Sequence, residues 1–97
     1  MKHFHRTHVP PAAAIAAADR FFVALGMSQT SGGSRTRSFA GPLGTLTLSA
    51  KPEAGHYTFV EVSTDQMGES RLDRNVKKFF VGLHRTSDPS HTLEAAY

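Results

Sequence analysis

Cysteine is missing from this sequence, and its absence removes disulfide frameworks, Cys-ligated zinc and thiol chemistry together. Long hydrophobic runs are missing too. The longest, Val9 to Ala18, is ten residues of Val, Pro, Ala and Ile, too short and too weak to span a bilayer. The opening from Met1 to Val9 carries two basic residues but lacks the apolar stretch of a signal peptide, so a cytoplasmic location without a membrane partner is expected. Gly-x-Ser-x-Gly, P-loop and dinucleotide fingerprints are absent, so no catalytic motif and no cofactor is assigned. Acidic charge is scarce where basic charge gathers. Residues 70–85 hold Arg71, Arg74, Lys77, Lys78 and Arg85 against Asp73 alone, whereas residues 53–69 hold Glu53, Glu61, Asp65 and Glu69 with no lysine or arginine.

What is present fits one modest core. At 97 residues and 10.5 kDa, with 39% hydrophobic and 20% charged residues, the chain is a single globular domain spanning 1–97. Its expected radius of gyration is roughly 13 Å, which leaves no room for a Rossmann domain or a TIM barrel. The net charge of +3 and pI of 9.7 are mildly basic.

Residues 2–9 alternate and stop at Pro10-Pro11, the pattern of a short strand. Pro11 suits the first turn of a helix, Ala12 to Leu25 supply strong helix formers, and Gly26 suits the position just past the end. Residues 27–34 are almost wholly Ser, Thr, Gly and Gln and read as a loop, with a strand starting near Arg35. Gly41-Pro42 and Gly44 bracket a turn. Leu43 to Ala50 then alternates, with Leu46, Leu48 and Ala50 on one face, as a half-buried antiparallel strand does. Lys51 to Gly55 reads as a second turn, and His56 to Thr64 as a further strand. Leu72, Val76, Phe79, Phe80 and Leu83 form a single helical stripe after Ser70-Arg71-Leu72-Asp73, a capping box with Asp in place of Glu. Residues 86–97 read as a C-terminal tail. The pattern predicts an α+β fold of order β-α-β-β-β-α, with an antiparallel sheet of about four strands and both helices packed on one face.

One internal echo stands out. Arg20-Phe21-Phe22-Val23-Ala24-Leu25 resembles Lys78-Phe79-Phe80-Val81-Gly82-Leu83, as though two helices present similar bulk to the same sheet. Ala14 and Ala18 stand where the second helix has Leu72 and Val76, so the first helix either approaches closely or leaves a gap.

Three groups of residues could carry function. His3, His5 and His8 have metal-like spacing, but on a strand His8 points away from the other two, so no metal site is assigned. Glu61 falls on the Tyr57/Phe59 side of its strand, a carboxylate beside an aromatic surface. Any small apolar ligand is expected between the last helix and the meander, nearest Leu46, Leu48, Val60, Phe79 and Leu83. The opposite sheet face, rich in Thr and Ser, is either solvated or covered by a second copy in a homodimer. The alternative reading is nucleic-acid binding through Arg71, Arg74 and Lys78, neighbours at i, i+3 and i+7 on the second helix.

Two resemblances accompany these readings. Gly41-Pro42 and Lys77-Lys78 fall in the elements where a double-stranded-RNA-binding domain carries its Gly-Pro hairpin and basic second helix, although that family's lysines open the helix and these lie more than a turn further on. The stretch from Arg6 to Ala13 resembles the strand-then-Pro opening of the polyketide-cyclase/START-like (Bet v 1-like, helix-grip) superfamily, whose meander is closed by a long C-terminal helix. That resemblance implies an apolar ligand cavity between sheet and helix. Members are usually about half as long again, and no catalytic signature carries over.

Overall fold

The alternating segments pair into one fully antiparallel sheet, and the two helical segments lie together on one side of it. The computed structural model describes residues 1–87 of the chain. Its elements are β1 (Lys2–Thr7), α1 (Pro11–Ala24), β2 (Ser28–Gly32), β3 (Thr36–Gly41), β4 (Gly44–Glu53), β5 (Tyr57–Thr64) and α2 (Arg71–Ser87). The strand order is β1-β5-β4-β3-β2. The last four strands form a meander, while β1 crosses back to pair with β5 in the register Lys2↔Ser63 to Thr7↔Thr58. Helix α1 therefore connects opposite edges of the sheet. The Cα radius of gyration, 13.2 Å, is that of one domain of this length.

The expected α+β arrangement holds, with one strand more than expected. Residues 28–32, read as part of a loop at 27–34, form the edge strand β2 against β3. All five of its residues are exposed, so no apolar alternation marks it, and a register shift between Gln29 and Ser31 bends it. The turn expected at 51–55 is also shorter, because β4 runs on to Glu53. Pro52 is accommodated there because β3 reaches only to the Thr36↔Ser49 pair, which leaves β5 as the single ladder partner. Helix α2 extends to Ser87, past the residue 86 at which a tail is expected from the sequence; residues 88–97 lie outside the described residues.

Both helices end as their sequences dictate. Pro10 caps α1 and Pro11 opens it. At its other end Gly26, with φ of 94°, donates to the Val23 carbonyl while Met27 donates to that of Phe22, a Schellman closure. Helix α2 starts on its capping box: the Asp73 N–H donates to Ser70 Oγ at 3.0 Å, and the Ser70 hydroxyl donates to Asp73 Oδ2 at 2.7 Å. His84 and Arg85 complement the carbonyl end.

The core lies between the helices and the inner sheet face. Phe22, Leu48, Val60, Val62, Leu72 and Val76 are fully enclosed there. The stripe on α2 is core at Leu72, Val76, Phe79 and Leu83, while Phe80 is only partly buried and stacks on His5 with ring centroids 5.0 Å apart. Ala14 and Ala18 are fully buried, so α1 sits close to the sheet and Phe22 fills the space beyond them, its ring 5.4 Å from those of Phe39 and Phe79. Among the described residues no helix is long and apolar enough to cross a membrane.

Candidate functional site

The two echoed segments face each other. Arg20 and Phe21 of α1 and Lys78, Phe79, Gly82 and Leu83 of α2, joined by Ala17, line a groove of about 310 Å³ between the helices, on the side away from the sheet. It exists because both helices are thin at this level. Ala17 is the small residue of one wall, and a Cβ placed on Gly82 would meet no atom within 4 Å. Aromatic rings make the floor. Phe21 packs edge-on to Phe22 at 5.0 Å and lies 5.6 Å from Phe79. The rim is cationic, with Arg20 and Lys78 both exposed.

Neither rim cation has a carboxylate partner among the described residues, whereas other basic residues do. Arg6 is bound by Glu53, Arg37 by Asp19 and Lys77 by Glu69. Asp19 is next to Arg20 in the chain, but Arg37 Nε donates to it at 2.9 Å. An apolar floor under two uncompensated cations is suited to a molecule with an apolar body and an anionic head.

The expected ligand residues are divided by this geometry. Phe79 and Leu83 reach the groove, while Leu46, Leu48 and Val60 lie beneath the helices at 0–2% exposure, inside close-packed core. Of the expected nucleic-acid residues, Arg71, Arg74 and Lys78 are all exposed along one side of α2, and Lys78 is the one at the groove. Sequence reasoning missed Ala17, Arg20, Phe21 and Gly82. The echo of Arg-Phe-Phe-Val-Ala-Leu in Lys-Phe-Phe-Val-Gly-Leu was the available signal, since it is these two segments that meet.

The three N-terminal histidines go to three different neighbours. His3, buried on the inner face, lies with Nε2 2.7 Å from Asp73 Oδ1. His5 stacks on Phe80, and His8 lies against the Tyr57 ring at 4.3 Å. Asp73 is the hub of a buried network that also takes hydrogen bonds from Thr64 Oγ1 at 2.9 Å and the Gly68 N–H at 3.1 Å. Burial pushes its carboxyl upward, but hydrogen bonds from His3, Ser70 and Thr64, with the charge of His3, outweigh this and hold it well below the usual carboxylate range. These groups tie β1, the β5–α2 connection and α2 together. With every oxygen occupied, Asp73 is poorly placed to act on a substrate.

A larger cleft, about 530 Å³, lies where the β4–β5 turn meets the start of α1 and includes His8, Glu53, His56 and Tyr57. Two of its polar groups are already engaged: Glu53 is held by Arg6 from outside the cleft, and His8 lies against the Tyr57 ring. The inter-helix groove is therefore the stronger site, despite its smaller volume. Comparison with protein-family models, with curated proteins and with solved structures returns no match for this chain.

Proposed function

We propose that this domain binds a small amphiphile, a medium-chain carboxylate or a molecule of like chemistry, with its apolar chain on the Phe21–Phe79 floor and its head between Arg20 and Lys78. The observation that carries this reading is the pairing of an apolar inter-helix groove with two cations that have no carboxylate partner among the described residues. The helix-grip resemblance implies a ligand of the same kind on the other side of the C-terminal helix. In this chain that space is occupied by Phe22, Leu48, Val60 and Phe79, so the reading moves the ligand to the outer side of the helix pair.

Titration calorimetry with decanoate, kept below its micelle concentration, tests the reading. Saturable 1:1 binding is expected, weaker by at least about tenfold (about 1.4 kcal/mol) for decanol, which lacks the charge. The double variant Arg20→Glu/Lys78→Glu should lose binding while keeping its melting temperature. Gly82→Leu should also block binding, by filling the groove from an open position. Absence of saturable binding by the wild-type domain, or binding indifferent to Gly82→Leu, would overturn the proposal.

A further inference from the structure

Among the described residues, nothing covers the sheet face turned away from the helices. It displays Lys2, Phe4 and Arg6 from β1 and Tyr57, Phe59 and Glu61 from β5, because these alternate with the inward His3, Thr7, Thr58, Val60 and Val62. Phe4 is 55% exposed and Tyr57 41% exposed. Phe4 stacks on Phe59 across the strand pair at 5.6 Å, and the Arg6 guanidinium covers the same Phe59 ring at 4.9 Å. Towards β3 and β4 the face turns to Ser38 and Thr47, whose hydroxyls lie 3.3 Å apart.

Charge decides what such a face fits. Glu61 on β5 lies between Lys2 on β1 and Lys51 on β4, and none of the three has an ionic partner among the described residues. Yet Glu61 and Lys51 stand on adjacent strands, opposite Ser49 and Phe59 respectively. A nucleic acid could stack on the rings, but its phosphates would meet Glu53 and Glu61 beside them. A partner carrying both signs in the same arrangement uses all of these groups, and a two-fold axis supplies that partner without a second protein.

We propose that this open face docks a second copy of the chain, with the two-fold axis near the Phe4–Phe59 stack and each Glu61 answered by the lysines of the other copy. Strands spaced at about 4.8 Å and rising about 3.4 Å per residue give the face roughly 500–650 Å². Two copies then bury roughly 1,000–1,300 Å², the lower end of stable interfaces, so the dimer is reversible and of micromolar strength.

Sedimentation equilibrium from about 0.1 µM to about 100 µM tests this, since a micromolar dimer dissociates within that span. The expected result is a mass that rises from monomer to dimer with concentration. Phe4→Asp should weaken the dimer at least tenfold; because it removes the stack on Phe59 and sets a second carboxylate opposite Glu61, it also lowers the melting temperature somewhat, and the dimer is compared at a temperature where the variant is fully folded. Glu61→Lys and Lys2→Glu/Lys51→Glu should each weaken it, and mixing the two should restore a heterodimer. A monomer throughout, a dimer indifferent to Phe4→Asp, or a single-stranded oligonucleotide that saturates this face on a monomer would overturn the proposal.

Discussion

Two imidazoles two positions apart on β1 receive opposite treatment. His3 gives its Nε2 hydrogen to Asp73, whose carboxylate can only accept. His5 has an aromatic neighbour, and its own Nε2 is buried without a hydrogen-bond partner among the described residues. Burial, and then the charge of His84, push His5 below its ordinary value of 6.5. The folded protein therefore binds this proton less readily than the unfolded chain does. The stability His5 confers is fully present above about pH 6.5 and is lost as pH falls through its depressed folded value. Asp73 follows the same sign lower down: its contribution is complete above about pH 4 and is lost in stronger acid. Thermal melts followed by circular dichroism should show a midpoint that declines from pH 7 to 5 and again below pH 4. His5→Phe should flatten the first decline and leave the second. An unchanged slope between pH 7 and 5 in that variant would assign the upper window to another group.

At the scale of elements, α1 depends on being thin where it meets the sheet. Ala14 and Ala18 are both fully buried, so the helix backbone rides close to β3 and β4. Ala18→Leu should cost about 1–3 kcal/mol by overpacking, read as a lower midpoint in urea. An unchanged or higher midpoint would reveal slack beneath the helix. The helices were legible because each carried its own boundaries: Pro11 and Gly26 for one, the Ser70–Asp73 box and an apolar stripe for the other. The central strands were legible by alternation at Leu46, Leu48 and Ala50. Strand β2 was not, because Ser28 to Gly32 bury nothing and are strands only by virtue of the ladder β3 offers. The groove was partly hidden for a related reason. Phe79 and Leu83 announced themselves through periodicity, but Arg20 and Gly82 matter only through the helix opposite. The His3–Asp73 contact spans 70 residues of sequence, a distance over which no local pattern reaches.

For the whole molecule, the surplus of +3 is concentrated on α2, where the alternative reading seats a nucleic acid. Arg71, Arg74 and Lys78 offer about three phosphate contacts, so affinity should fall with a log–log salt slope of only about −2 to −3. Fluorescence anisotropy across a salt series checks this. Sub-micromolar affinity at physiological salt, abolished by reversing Arg71 and Arg74, would make the helix surface rather than the groove the working site. The sheet order has a further consequence, in time rather than in space. Strand β1 precedes the meander in the chain, yet among the described residues its only ladder partner is β5, reached at residues 57–64. On the ribosome the opening strand must wait, with Phe4 in water, until the meander has been delivered. The β4–β5 hairpin, closed by a three-residue turn, pairs cheaply and early. Only then is there an edge for β1 to join, so a strand made before the meander pairs after it.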